Sequence, residues 1–189
     1  MARKKPRHPN KKPANDNLKT VRWILGIFVI IFIGFLVYQT SQSTSGTLGD
    51  KLPGGNIALR SIDGRTLKLD DFAGKVLIVD FWATWCPPCK KELPGYMHLY
   101  DRYHRQGLEI VGVTLQSGTL SEVKQFVQAA GINYPIVMGT NEIVSAFGGI
   151  TGFPTTFVID RTGKVQRRYE GYRPVSVFER DIRQFLNSN

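Results

Sequence analysis

The tightest constraint on this chain is a join between two kinds of residue pattern. An apolar, largely β-branched run, Val76-Leu77-Ile78-Val79, continues through Asp80 to Phe81-Trp82 and soon reaches Cys86-Pro87-Pro88-Cys89, which holds the only two cysteines of the chain. A short apolar run of this kind reads as a strand buried on both faces. The pattern after Cys86 is helical. The cysteine pair therefore belongs where a buried strand ends and a helix begins. Two residues three apart on a helix have Cα atoms about 5 Å apart, inside the roughly 4.4–6.8 Å that a disulfide tolerates. Such a pair opens and closes with little backbone movement. Zinc is the weaker reading, because it needs about four ligands and only His8, His98 and His104 remain to supply them. A purely structural disulfide is also weaker, since so short a loop gains little entropy from closure.

The net charge of +10 in 189 residues raises the question of nucleic-acid binding. Its location answers it. Residues 1–22 carry eight Lys/Arg and one acid, Asp16, and the remainder of the chain is only +3. The basicity belongs to the tail, so no nucleic-acid partner is expected for the folded part.

Residues 1–20 nearly lack apolar side chains and are read as a disordered basic tail on the cytoplasmic side. Residues 21–38 are read as a transmembrane signal-anchor. From Trp23 to Tyr38 there are 16 residues without a charge, just under the roughly 17–25 of a spanning helix, with aromatics at both ends. The positive-inside rule puts the C-terminal part outside the cytoplasm. A cleaved signal peptide is the rival reading, but the run is long for one and no clear small-residue cleavage site follows. No cysteine follows it either, which excludes a bacterial lipoprotein. Residues 39–51, rich in Ser, Thr, Gly and Gln, read as a flexible linker. Residues 52–189 are left as the folded domain.

Within that domain, residues 56–60 and 66–69 flank a hairpin turn at Asp63-Gly64. A strand over 76–82 and a helix over 87–105 follow, with Pro87 and Pro88 in the first turn and Pro94 predicting a kink. The patterns then predict a strand over 108–115, an amphipathic helix over 120–130 ended by Gly131, a strand over 134–138 and a helix over 141–147. Last come strands over 155–160 and 165–172 and a helix over 175–186 with Phe178, Ile182, Phe185 and Leu186 inward. Alternating strands and helices with a terminal hairpin imply an α/β domain built on a mixed central sheet flanked by helices.

The site residues follow from this placement. Cys86 sits at the helix N-terminus, where the partial positive charge favours its thiolate, and is the expected nucleophile. Cys89, one turn inside, is the expected resolving thiol. Pro87 and Pro88 offer no N–H to the Cys86 sulfur, which favours a reductant over an oxidant. Asp80, if buried, has a raised pKa and serves as proton acceptor for Cys89; the alternative is a carboxylate bonding a loop N–H. Glu92, three residues after Cys89, is either a second acid on the same helical face or a solvated charge. Phe153-Pro154 suits a cis peptide that leaves the Phe153 backbone free for an extended client segment; the alternative is a trans proline opening an edge strand. Trp85, Pro87 and Phe153 are the expected client-binding residues. Met97, His98 and His104 are read as surface or packing residues, not metal ligands.

The stretch Asp80-Phe81-Trp82-Ala83-Thr84-Trp85-Cys86-Pro87-Pro88-Cys89-Lys90 resembles the active-site strand and helix of thioredoxins, and Gly152-Phe153-Pro154-Thr155-Thr156-Phe157 resembles their cis-proline loop. The long interval between Cys89 and Pro154, the continuation Lys90-Lys91-Glu92-Leu93-Pro94 and the N-terminal anchor are similar to the membrane-anchored thioredoxin-like proteins of the TlpA/ResA type, over about residues 50–187. The resemblance implies a thioredoxin-like fold with an inserted helix and strand, a cis Pro154, and Glu92 as an acid near the buried cysteine. It implies a thiol-disulfide oxidoreductase at the bacterial inner (cytoplasmic) membrane, single-pass, with its catalytic domain on the periplasmic or extracytoplasmic side. Its function would be to reduce client proteins with Cys pairs, for example in cytochrome c or copper-site assembly, and a membrane electron donor would recharge it. No cofactor and no metal are expected, and the chain is expected to act as a monomer. Asp80 departs from the resemblance, because many such proteins have an uncharged residue there; the main proton acceptor is Asp80 or Glu92.

Two other functions stay open on sequence. A disulfide oxidase or isomerase would use the same pair, although the chain lacks a long helical insertion or an obvious dimerisation domain. A copper metallochaperone would bind Cu(I) through Cys86 and Cys89. A peroxidase is less supported, because Thr84-Trp85-Cys86 is one residue short of the Thr-x-x-Cys pattern.

Overall fold

The structure is a computed structural model that describes residues 31–33 and 52–188. The expected tail, anchor and linker lie outside the described residues, apart from Ile31, Phe32 and Ile33, which are helical and exposed. Among the described residues no helix is long and apolar enough to cross a membrane.

From residue 52 the elements run β1 (Leu59–Ser61), β2 (Thr66–Leu67), β3 (Val76–Trp82), α1 (Pro87–Tyr103), β4 (Leu108–Thr114), α2 (Leu120–Ala130), β5 (Ile136–Met138), α3 (Asn141–Ala146), β6 (Thr155–Ile159), β7 (Val165–Glu170) and α4 (Val175–Asn187). One sheet takes all seven strands in the order β2-β1-β5-β4-β3-β6-β7. The parallel trio is β3, β4 and β5. The outer pairs are antiparallel. This is the mixed sheet that the sequence pattern predicts. The inserted helix and strand are also present: α2 crosses from β4 to β5, which adds to the sheet before α3.

The strand β3 lies inside the sheet, paired along its length with β4 and β6. All seven of its residues are buried, which is why its sequence runs apolar without alternating. Successive side chains still point to opposite faces. Val76, Ile78 and Trp82 join the core under α1, α2 and α4. Leu77, Val79 and Phe81 join the core under α3 on the other face. The period of two therefore sends Asp80 to the α1 side.

The helix α1 answers with a stripe of buried residues, Cys89, Glu92, Leu93, Tyr96, Leu99 and Tyr103. Their spacing of three and four is that of one helical face. Glu92 is thus carried into the interior by its register. It runs through Pro94 and ends two residues short of the expected boundary, passing into a 3₁₀ turn at His104–Gln106 closed by Gly107 at φ 104°.

Other differences are local. The first hairpin pairs only Leu59 with Leu67 and Arg60 with Thr66, shorter than predicted. Before it, turns bonded from Gly55 N–H to Leu52 and from Ile57 N–H to Gly54 replace strand. After it, the Asp71 carboxylate accepts from the Lys68 N–H at 2.8 Å and starts a 3₁₀ turn. In α4, Phe178, Ile182 and Phe185 are buried as expected, Leu186 is only partly so, and Asp181 joins the buried face. Its carboxylate accepts from Tyr169 Oη at 2.5 Å, tying α4 to β7.

Candidate active site

Cys86 caps the N-terminus of α1 with an extended backbone, and Pro87 and Pro88 take the first helical positions. The loop before it is held from two sides: Thr84 N–H donates to Ser117 Oγ at 3.0 Å, and Cys86 N–H donates to Ala83 O at 3.1 Å. Cys86 and Cys89 form a disulfide with Cα atoms 5.3 Å apart, close to the helical spacing expected from sequence. Neither proline offers the sulfur an N–H, but one donor remains: Cys89 N–H donates to Cys86 Sγ at 3.2 Å. The two cysteines barely differ in exposure, 3% for Cys86 against 1% for Cys89. What separates them is direction. Cys86 lines an open groove of about 420 Å³ with Trp85, Pro87, Pro88, Gln116, Thr151 and Phe153, and Cys89 does not.

The three residues expected to meet a client are brought together in that groove. Trp85 is 56% exposed, a large apolar surface at the rim. Its indole N–H donates to Gln116 O at 2.8 Å, and its ring meets Phe153 edge-on at 5.9 Å. The Phe153–Pro154 peptide is cis. Pro154 O accepts from Gly171 N–H at 2.7 Å, whereas the Phe153 backbone has no hydrogen-bond partner among the described residues. An N–H and C=O left open beside Cys86 suit pairing with an extended chain.

Behind the disulfide, Asp80 and Glu92 are both buried. Asp80 Oδ1 accepts from Thr156 Oγ1 at 3.0 Å. Burial, reinforced by the nearby Glu92 charge and only partly offset by Thr156, pushes the Asp80 carboxyl up to about 8. Glu92 Oε1 accepts from Arg173 N–H at 2.6 Å, while Oε2 is buried without a partner among the described residues. Burial pushes Glu92 up to about 7, against the lowering effect of the Arg173 amide. Both carboxyls are thus poised near neutrality, where a proton acceptor for a thiol is useful. The reading of Asp80 as a strand-end loop anchor does not fit its buried place, and Glu92 is not a solvated charge. His98 is exposed, and His104 stacks on Tyr100 at 4.5 Å, as packing residues do.

Sequence reasoning missed four residues of the site. Tyr96 lies four residues after Glu92 and could have been found from the helical spacing alone. Thr156 lies two after Pro154 and opposite Asp80 in the β3–β6 register, which needed the strand pairing. Gln116 contributes its backbone carbonyl at a positive φ of 51°, and Arg173 contributes its amide; backbone roles leave no mark on residue type.

The family model described as AhpC/TSA family matches residues 48–168. The thiol-disulfide oxidoreductase ResA of Geobacillus thermodenitrificans is 32% identical over 170 residues, spanning 89% of this chain and 94% of that protein. ResA of Bacillus subtilis is 30% identical over 164 residues, spanning 86% and 89%. Among solved structures, a thioredoxin-family thiol:disulfide interchange protein from Chlorobium tepidum is 36% identical with a TM-score of 0.63, over 69% of this chain and 94% of that one. StoA from Bacillus subtilis is 27% identical with a TM-score of 0.58, over 66% and 93%. With a Cys-x-x-Cys disulfide at a helix N-terminus and a cis-proline loop beside it, these likenesses show that the chain belongs to the AhpC/TSA family, as a thioredoxin-like thiol-disulfide oxidoreductase.

Proposed function

We propose that the chain is a membrane-tethered, extracytoplasmic reductase that opens disulfides in client proteins through Cys86 and Cys89. The observation that carries this reading is the asymmetry of the pair. Cys86 faces an open groove with an exposed aromatic rim, whereas Cys89 lies on the buried face of α1 that also carries Glu92, on the side of the sheet to which β3 sends Asp80.

In the reduced state the Cys86 thiolate attacks one sulfur of a client disulfide. A mixed disulfide forms and one client thiolate leaves. Asp80 takes the proton of Cys89, and the Cys89 thiolate attacks Cys86 Sγ. The Cys86–Cys89 disulfide closes and the second client thiolate leaves, taking a proton. Two electrons have passed to the client. A membrane electron donor then returns the pair to its dithiol form. Trp85, Pro87 and Phe153 hold the client, and the open Phe153 backbone pairs with its chain beside the attacked bond. The apolar run from Trp23 to Tyr38, aromatic at both ends, supports the tether, and the basic tail before it supports an extracytoplasmic domain. Periplasmic clients with Cys pairs, such as apocytochromes or copper-site proteins, suit that topology.

A redox titration against glutathione tests the direction. The expected potential lies near thioredoxin's, about −270 mV, and one near that of a strong oxidant, about −120 mV, overturns the reductase reading. Trapping tests the client: Cys89→Ser holds it as a mixed disulfide on Cys86. Extracytoplasmic proteins with Cys pairs are the expected catch. Cytosolic proteins alone would overturn the topology.

A further inference from the structure

One of the acids behind the disulfide, Glu92, reaches a second opening. Glu92 and Tyr96 line a cavity of about 120 Å³ whose walls include Tyr172, Arg173 and Val175. No residue lines both this cavity and the groove at Cys86. A client seated over Cys86 would leave the second opening uncovered. A void of this size has room for several waters, and the unpartnered Glu92 Oε2 gives one of them an acceptor.

From the cavity wall a line of two hydroxyls leads inward. Tyr96 lines the cavity beside the Glu92 carboxyl, and a water in the cavity can bridge the two. Tyr96 Oη and Thr156 Oγ1 are 2.9 Å apart, and either can donate. Thr156 Oγ1 is in turn 3.0 Å from Asp80 Oδ1. All four side chains are buried. The other titratable groups that face this line are Tyr134 from the loop before β5 and the Cys89 thiol of the reduced pair. Lys91, Tyr172 and Arg173 stand at the cavity mouth.

We propose that this cavity is the proton port of the redox site, in which Glu92 exchanges protons with water while Tyr96 and Thr156 pass them to and from Asp80. The inference rests on the reading that Asp80 serves Cys89. Asp80, having taken the Cys89 proton, gives a proton to Thr156 Oγ1. Thr156 gives its own to the Tyr96 oxygen, and Tyr96 gives its own, through a cavity water, to the Glu92 carboxylate. Glu92 releases a proton to cavity water. Each hydroxyl loses one proton and gains one, so the line ends intact with its hydrogen bonds reversed. Asp80 ends ionised, and one proton has moved from Cys89 to water without crossing the client-covered face. Tyr96 and Thr156 are positioning residues, acting through Asp80.

The test compares two disulfides on the purified full chain in detergent: insulin, which covers the groove, and a small aromatic disulfide, which does not. Tyr96→Phe and Thr156→Val should lower the insulin rate about tenfold more than the small-disulfide rate, a modest share of what proton transfer contributes to catalysis. Thr156→Ser, which keeps the hydroxyl, should hold the wild-type ratio, and Glu92→Gln should move the ratio as Tyr96→Phe does. A ratio unchanged in Tyr96→Phe and Thr156→Val, or a fall in Thr156→Ser equal to that of Thr156→Val, overturns the port. A misfolded variant loses both rates together, which the ratio separates from loss of the line. If the wild-type chain reduces neither disulfide, the reductase reading fails, and the same comparison decides the port in the opposite direction, with a reduced peptide against a small dithiol.

Discussion

Thr156 Oγ1 lies 3.0 Å from Asp80 Oδ1, a buried hydrogen bond between neighbouring strands whose residues are 76 apart in the chain. It is the one side-chain donor that offsets the burial of Asp80, and it does not offset it fully, since the carboxyl stays pushed up to about 8. The strand β3 thus carries a group placed for proton transfer at some expense to its own stability.

That expense has a sign. A carboxyl whose folded pKa is above its unfolded value binds more protons in the folded state. Its favourable contribution is complete below the unfolded pKa, near 3.8, and is lost as pH rises through about 8. Asp80→Asn removes the titration and keeps a partner for Thr156. The expected result is a variant more stable than wild type by a few kcal/mol at pH 9, with little difference at pH 4. Thermal unfolding at the two values checks this. Disulfide reduction by the same variant should fall about a hundredfold, as when a general base is removed.

Glu92 predicts a different pair of effects. Its charge helps hold Asp80 up, so Glu92→Gln should shift the pH profile of reduction toward lower pH, because Asp80 then ionises more readily. The amide oxygen still accepts from Arg173 N–H. Glu92→Ala gives the same shift but strands that N–H, and should cost a further ~1–3 kcal/mol of stability. Profiles for the two variants and their denaturant midpoints separate charge from hydrogen bonding.

How far the sequence revealed this site depended on where each signal lay. The strand at Val76–Trp82 and the helix at Leu120–Ala130 were legible to the residue, because an unbroken apolar run and a capped amphipathic pattern are local. The pairing of Cys86 with Cys89 was legible from spacing. Asp80 and Glu92 were legible as candidates only. Their burial followed from two periodicities meeting face to face, even positions of β3 against the inward stripe of α1, which a one-dimensional reading does not bring together. Thr156 and Arg173 were invisible because their roles depend on a strand register and on an amide. The short first hairpin was misread because Ile57 and Lys68 spend their backbone groups in turns.

The core on the far side of the sheet yields a stability prediction independent of the chemistry. Phe81 is fully buried and meets Phe147 edge-on at 5.2 Å and Phe157 at 5.9 Å. Its side chain points away from Asp80. Phe81→Ala should cost ~3–5 kcal/mol. Denaturant unfolding of the full chain measures the cost, and a loss under ~1 kcal/mol would mean that the two faces of β3 are not packed as described.

The cysteine cap makes the redox poise itself testable. An N-cap side chain accepts from the amides of the second or third helical residue. Cys89 occupies the third position and its N–H does reach Cys86 Sγ, at 3.2 Å. Pro88 occupies the second, where an N–H would also point at the sulfur, and Pro87 the first, where it would not. The two prolines are therefore unequal. Pro88→Ala should add a donor to the Cys86 thiolate, lower its pKa and make the couple more oxidising. A hydrogen bond to a charged group is worth ~1.5 kcal/mol, or about 30 mV for a two-electron couple. Pro87→Ala should change the potential by less than a third of that. Glutathione titration of both variants beside the wild type resolves shifts of this size. Equal shifts for the two would show that the prolines act through helix stability and not through the missing amide at position 88.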